Sequence, residues 1–268
     1  MTAPLSAHLI HTGQSQSWRH ALAEVSGEAL PEVSPAMDLG TAFHAVLLEG
    51  VAAVEIIEAA DFRTKAAREA RDAARAAGRV PLLPQTFQDL QAMVTAAKLQ
   101  LDALEEPMLL LPEAGIAEAS IFWTEDGGIE CRATPDWLSL DHRMICDLKT
   151  TSGSAHPAAF ARVLWDKGYG IQEAWYRRAV KRVHGVAAEF RFIVVETFPP
   201  YALSVVSLDP EAQAFADQQV EAGLAEWRRC VETGHWPAYP ARVAYAEVPP
   251  WIQAAWQTRT YYTEEMVR

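Results

Sequence analysis

Cysteine is scarce in this chain. Only Cys131, Cys146 and Cys230 occur among 268 residues, too few and too scattered for a disulfide framework or a structural zinc site. A reducing cytoplasm is therefore the expected compartment. No apolar run of about 18 residues exists, so no segment reads as a membrane-spanning helix. The start, Met1-Thr-Ala-Pro-Leu-Ser-Ala-His8, lacks the basic residues and apolar core of a signal peptide. An excess of positive charge is missing too. The net charge of −12 argues against a simple nucleic-acid coat protein. It leaves room for carboxylates that hold a metal and for local contacts with a polyanion. Internal repeats and low-complexity tracts are absent.

Hydrophobic residues make up half of the chain, enough for a sizeable core, and the length suits one large domain or one domain with an added helical layer. In chain order, Ser15-Gln-Ser-Trp18 with Leu22 and Val25 marks a short helix inside looser sequence, which Pro31 and Pro35 break. An apolar helix starts near Asp38 and runs to Glu49. It carries His44, and a lone histidine on such a face is more often a packed core residue than a ligand. A charged helix spans Asp61 to Gly78, with Arg68, Arg71, Arg75 and Arg79 on one face. That stripe suits a solvated surface or a phosphate-tracking one. A longer amphipathic helix covers Gln85 to Glu105.

After Pro107 and Pro112 the period changes. Ala117–Thr124 reads as a strand, Glu125-Asp-Gly-Gly128 as a turn, Ile129–Leu138 and Met144–Ser152 as two more strands joined by Ser139–Arg143. Three successive antiparallel strands are thus expected. Pro157 opens one long helix to about Val183. Ala188–Glu196 and Tyr201–Ser207 read as strands around a Pro199-Pro200 turn, and a final helix runs from Asp209 to near Gly234. The fold class is α/β, a central mixed β-sheet flanked by helices, with an N-terminal helical layer. A single domain over 1–268 is expected: 1–115 helical, 116–208 core, 209–268 a helix and tail.

Chemistry concentrates in two of these segments. Pro135-Asp136 closes one strand and Asp147-Leu148-Lys149 lies in the next, where Asp147 and Lys149 share a face. Two carboxylates and a lysine at a sheet edge suit divalent-metal phosphodiester hydrolysis. A buried Asp–Lys ion pair supporting the hairpin is the plainer alternative. Glu118 points into the same cluster or to solvent. Gln172 and Tyr176, four residues apart, stack on one face of the following helix.

In this order the elements and residues resemble the PD-(D/E)xK nuclease superfamily. Gly40-Thr-Ala-Phe-His44, Cys131-Arg-Ala-Thr-Pro-Asp-Trp137, Asp147-Leu-Lys-Thr-Thr151 and Gly168-Tyr-Gly-Ile-Gln-Glu-Ala-Trp-Tyr176 look like successive motifs of its RecE (exodeoxyribonuclease VIII) branch. Phage λ exonuclease and the RecB nuclease domain are more distant relatives. The resemblance spans roughly residues 36 to 200, and the basic helix after Arg63 adds a phage-type feature.

The resemblance implies that Asp136, Asp147 and the Leu148 backbone carbonyl ligate Mg²⁺ or Mn²⁺, with His44 as a further ligand and Glu118 as an additional acidic one. Lys149 would position or deprotonate the attacking water, while Gln172 and Tyr176 orient the scissile phosphate and the lysine. It also implies a bacterial or phage-encoded exonuclease on double-stranded DNA ends, 5′→3′ resection for recombination, a ring-shaped homo-oligomer and a single-strand annealing partner. A structure-specific endonuclease and a non-catalytic DNA-binding module are the competing expectations. The iron–sulfur branches need four cysteine ligands, which three cysteines cannot supply.

Overall fold

Phe190-Arg-Phe-Ile-Val-Val195 is the most apolar strand of the chain, and its side chains supply both faces of the sheet. In a computed structural model describing residues 3–28, 35–48, 50–105, 110 and 113–265, this run lies in β8 (Glu189–Glu196). To its amino-terminal side in sequence come α1 (Ala7–Ser15), α2 (Trp18–Val25), α3 (Pro35–Leu48), β1 (Val54–Ile56), α4 (Lys65–Ala76), β2 (Val80–Leu82) and α5 (Pro84–Asp102). Next come β3 (Gly115–Ala117), β4 (Ile121–Glu125), β5 (Ile129–Ala133), β6 (Trp137–Ser139), β7 (Met144–Thr151), α6 (Pro157–Asp166) and α7 (Tyr169–His184). After β8 follow β9 (Leu203–Val206), α8 (Pro210–Thr233) and α9 (Pro250–Glu265). The breaks expected at Pro31, Pro107 and Pro112, and the helix end at Glu49, lie outside the described residues.

The central sheet has five strands in the order β3-β6-β7-β8-β9. Only β7 and β8 run parallel, and the other pairs are antiparallel. It is the mixed sheet flanked by helices that the sequence predicts. Alternation along β8 divides its residues between two cores. Phe190, Phe192 and Val194 pack with residues of α1, α6, α7 and α8, and Ile193 and Val195 pack with residues of α3 and α5. Along β7, Ile145 joins the first core and Cys146 and Leu148 the second, so Asp147 and Lys149 face the α7 side. The Gln100 amide fastens α5 to β9: it donates to the Tyr201 carbonyl at 2.9 Å and accepts from Leu203 N–H at 3.0 Å.

Three expectations need correction. The strand expected over Ile129–Leu138 is two strands in different sheets. β5 pairs with β4 in a separate two-stranded sheet and meets Leu5 at an isolated parallel bridge, whereas β6 pairs with β3 and β7. The segment Thr134-Pro135-Asp136 carries the chain across, and proline, which cannot donate to a ladder, suits that crossing. The strand expected from Ala117 begins at Ile121, with β3 as a separate edge strand. The helix expected from Pro157 to about Val183 is interrupted. Gly168 adopts φ +69° and starts α7 afresh, a backbone state that glycine enters without steric cost. The parallel pair β1–β2 and helix α1 go beyond what the sequence predicts; Ser6 caps α1 through Leu9 N–H at 3.4 Å.

The chain forms two compact units, residues 1–237 and 238–268. The first contains both cores. In the second, α9 follows a proline-rich stretch, and Tyr245 and Trp251 are exposed. Among the described residues no helix is long and apolar enough to cross a membrane.

Candidate active site and metal centre

Asp136 follows the crossing segment and is the hinge of the site. Its Oδ2 accepts a hydrogen bond from Leu148 N–H at 2.6 Å, which ties the loop after β5 to the middle of β7. The expected Leu148 contribution is its carbonyl; what the geometry shows engaged is the N–H. The Asp136 carbonyl accepts from Glu118 N–H at 2.9 Å, so Glu118, just past β3, is drawn to the same spot. Glu118 has φ +49°. A non-glycine residue in the left-handed region carries strain of about 1 kcal/mol.

His44 arrives from α3, its Nδ1 3.4 Å from Asp136 Oδ2. One turn earlier, Gly40 lets the helix come close to β7, since a Cβ there would meet Thr150 Oγ1 at 3.2 Å. Beside His44, Phe43 is fully buried in the second core and fixes the rotation of the helix. Ligand atoms of His44, Glu118 and Asp136 all lie within 4.8 Å of one another. The three residues come from separate parts of the chain.

Asp147 and Lys149, on the adjoining face of β7, form a direct ion pair. Gln172 of α7 bridges them: Nε2 donates to Asp147 Oδ2 at 2.6 Å and Oε1 accepts from the Lys149 ammonium at 3.0 Å. An amide can satisfy an anion and a cation at once because it carries both a donor and an acceptor end. The same Nε2 lies 3.2 Å from Tyr176 Oη one turn on. Sequence reasoning misses Tyr169, whose ring centroid is 4.4 Å from the Lys149 ammonium. Its position inside the Gly168–Tyr176 segment is the one available signal.

Burial and charge set the protonation states. Burial pushes Asp147 up to about 6, against the pull of Lys149. Burial opposes ionisation of Asp136 as well, yet its hydrogen bond and charge interaction with His44 hold it below the usual carboxylate range. His44 is disfavoured as a cation by burial, but Asp136 outweighs this and raises it. Lys149 likewise stays above its ordinary range because Asp147 and Asp136 overcome burial. Burial, then Asp147, raises Tyr176, which is a neutral phenol.

Two buried carboxylates plus Glu118 thus face one histidine and one lysine, a pocket short of positive charge. An oxygen-rich donor set with one imidazole suits a hard or borderline divalent cation. The residues present fit such an ion at His44, Glu118 and Asp136, with Asp147 alongside. Asp147 itself lies outside the triad of close donors, held toward Lys149 and Gln172.

The sequence matches the family described as PDDEXK-like domain of unknown function (DUF3799) over residues 13–249. No curated protein matches. Among solved structures, one from Eubacterium rectale described as a "putative exonuclease" shares the fold at a TM-score of 0.60, with 12% identity over 92% of this chain and 91% of that one. A phage-related exonuclease from Haemophilus somnus 129PT aligns over 88% of this chain and 98% of its own at 11% identity, with a TM-score of 0.35. The mixed sheet, the donors gathered around Asp136 and the match across most of the length lead to one assignment: the chain belongs to the PDDEXK-like family, a nuclease-type fold.

Proposed function

We propose that this protein is a divalent-metal-dependent DNA exonuclease that hydrolyses phosphodiester bonds at linear duplex ends. The observation that carries the reading is the convergence of His44, Glu118 and Asp136 beside the Asp147–Lys149–Gln172 chain. A buried ion pair that merely supported the hairpin would need neither His44 nor Glu118.

Asp136, His44 and Glu118 would hold the cation, with Asp147 and the Leu148 carbonyl completing its surroundings. Bound there, Mg²⁺ or Mn²⁺ supplies charge neutralisation at the scissile phosphate and acidifies the attacking water. Lys149, protonated and pinned by Asp147 and Gln172, orients that water and stabilises charge as it develops on the phosphate oxygens. Gln172 and Tyr176 keep the lysine aimed. The whole assembly is positioning and electrostatics, which is what phosphoryl transfer requires of a protein.

Exonucleolytic action, 5′→3′ resection for recombination, a ring-shaped homo-oligomer and hand-over to a single-strand annealing protein extend the same reading and draw their support from the RecE-like motifs. The test compares linear with covalently closed DNA in Mg²⁺, Mn²⁺ or EDTA, using wild type and Lys149→Ala. Progressive loss of linear DNA alone, abolished by EDTA and by the substitution, is expected. Cutting of closed circles would instead establish an endonuclease, and no metal-dependent cleavage of either substrate would leave a binding module. End-labelled duplex reads the polarity, and light scattering reads the oligomer.

A further inference from the structure

Beside the carboxylate cluster lies a cavity of about 370 Å³ between the start of α1, β5 and the break that separates α6 from α7. Gln172 and Tyr176 are among its lining residues, so it adjoins the proposed catalytic chain. His11, Arg132 and Lys167 also line it, and among the described residues no Asp or Glu does. In a chain of net charge −12 an acid-free, cation-lined hollow is out of character.

The contrast with the neighbouring arginines is sharp. On α7, Arg177 is held by Glu173 and Asp217, Arg178 by Glu125 and Glu221, and Arg182 by Glu125. Among the described residues neither Arg132 nor Lys167, both exposed at the rim of the cavity, has an ion-pair partner. His8, which also lines the cavity, is paired outward with Glu24 at 2.9 Å. His11 is kept below its ordinary range by burial first and then by His8 and Lys167. Arg132 and Lys167 thus bring positive charge to the hollow, and among the described residues that line it no carboxylate balances that charge.

Local structure builds this arrangement. Leu5 N–H donates to the Glu130 carbonyl and Arg132 N–H to the Leu5 carbonyl, both at 2.8 Å, which sets the first turn of α1 beside Arg132. Gly168 lies against the His11 ring, so closely that a Cβ would come within 2.3 Å of it. That approach brings the start of α7, which no side chain caps, to the same hollow, and its backbone N–H groups add to the positive potential.

We propose that this cavity is a phosphate subsite that seats a phosphate of the nucleic-acid strand next to the one cut at the Asp136–Lys149 centre. The proposal rests on the nuclease reading above. Arg132 offers a planar fork that matches phosphate oxygens, Lys167 a point charge and His11 one imidazole N–H. The phosphate is an internal phosphodiester or a phosphate at the strand end. Either would register the strand so that the neighbouring bond meets Lys149 and Gln172.

The experiment uses the full chain carrying Arg132→Gln and Lys167→Gln, singly and together, with Lys167→Arg as the conservative variant. Cleavage is followed with Mn²⁺ on linear duplexes bearing phosphate or hydroxyl ends. DNA binding is measured in EDTA across a salt series. The double variant should raise KM about tenfold, with kcat within about twofold. Its plot of log affinity against log salt should be shallower by about 0.9 for each phosphate charge that the protein no longer neutralises. Lys167→Arg should restore both, and calorimetric Mn²⁺ binding should match wild type. A KM effect confined to phosphate-ended DNA identifies the terminal phosphate as the occupant; an equal effect on both identifies the phosphodiester. If wild type cuts DNA while KM and the salt slope stay unchanged, or if only kcat falls, the subsite is overturned and the nuclease reading stands. A wild type that cuts no DNA overturns both.

Discussion

At the scale of single residues, Gln172 and Glu118 make opposite predictions. Gln172 bridges Asp147 and Lys149 at 2.6 and 3.0 Å, so Gln172→Leu leaves a buried carboxylate and the ammonium aimed only at each other. The expected result is a loss in kcat of about ten- to a hundredfold with little change in KM, read from steady-state DNA cleavage. An unchanged kcat would remove Gln172 from the lysine-aiming role. Glu118 holds a left-handed backbone at φ +49°, strain worth about 1 kcal/mol that glycine does not carry. Glu118→Gly should therefore leave the melting temperature of the metal-free protein close to wild type while shrinking the rise produced by Mn²⁺. A full metal-induced rise in that variant would place Glu118 outside the donor set. The residues of this centre are legible to different degrees. Asp147 and Lys149 share a strand face by simple alternation, and Gln172 and Tyr176 share a helix face by their spacing. Glu118 and His44 reach Asp136 through tertiary packing alone, one by a backbone hydrogen bond and one by α3 docking on β7, and no local pattern encodes that. Tyr169 is hidden for a similar reason, since only the helix break turns it toward Lys149.

At the scale of elements, β-alternation and helical periodicity recover the strands and most helices, because each is half-buried on a regular face. They fail where one residue redirects the chain. Thr134-Pro135-Asp136 reads as the end of a strand but carries the chain from one sheet to another, and Gly168 reads as an interior glycine but restarts a helix. Two glycines with nearly the same backbone let these effects be separated. Gly168 (φ +69°) faces the His11 ring, whereas Gly185 (φ +72°), which ends α7, has nothing within 4 Å of a built Cβ. Gly185→Ala should cost about 1 kcal/mol for the backbone alone, and Gly168→Ala at least about twice that because the ring must also move. Urea denaturation at neutral pH measures both, and equal losses would mean that the His11 ring yields freely.

At the scale of the whole molecule, α7 is secured to the β4–β5 sheet through Glu125. This buried carboxylate accepts from Arg178 at 2.6 and 2.9 Å and from Arg182 at 3.1 Å. Burial opposes its charge, but the arginines prevail and hold it below its ordinary value of 4.5. A carboxyl lowered in the folded state adds stability above its unfolded pKa and gives it up as pH falls through the folded one. Glu125→Gln should therefore destabilise by about 2–3 kcal/mol at pH 7, with the gap to wild type closing as the pH drops below about 4.5. A gap independent of pH would assign the loss to packing instead of charge. Removal of residues 238–268 should leave the melting temperature of the remaining unit within about 3 °C, since the buried apolar residues among those described all precede Pro237. A larger drop would show that the second unit supports the first.

The left-handed step at Gly168 also divides the chain into stretches that differ in tolerance to a change of length. Each residue of an α-helix turns the next by about 100°. A residue lost between Tyr169 and Ile171 would swing Gln172 and Tyr176 away from Lys149 together. One lost inside α6, ahead of the step, changes the length of a helix that presents no side chain to the centre. Natural or engineered insertions in this region are thus expected to collect within α6, ahead of Lys167, and to be excluded from the four positions that follow Gly168.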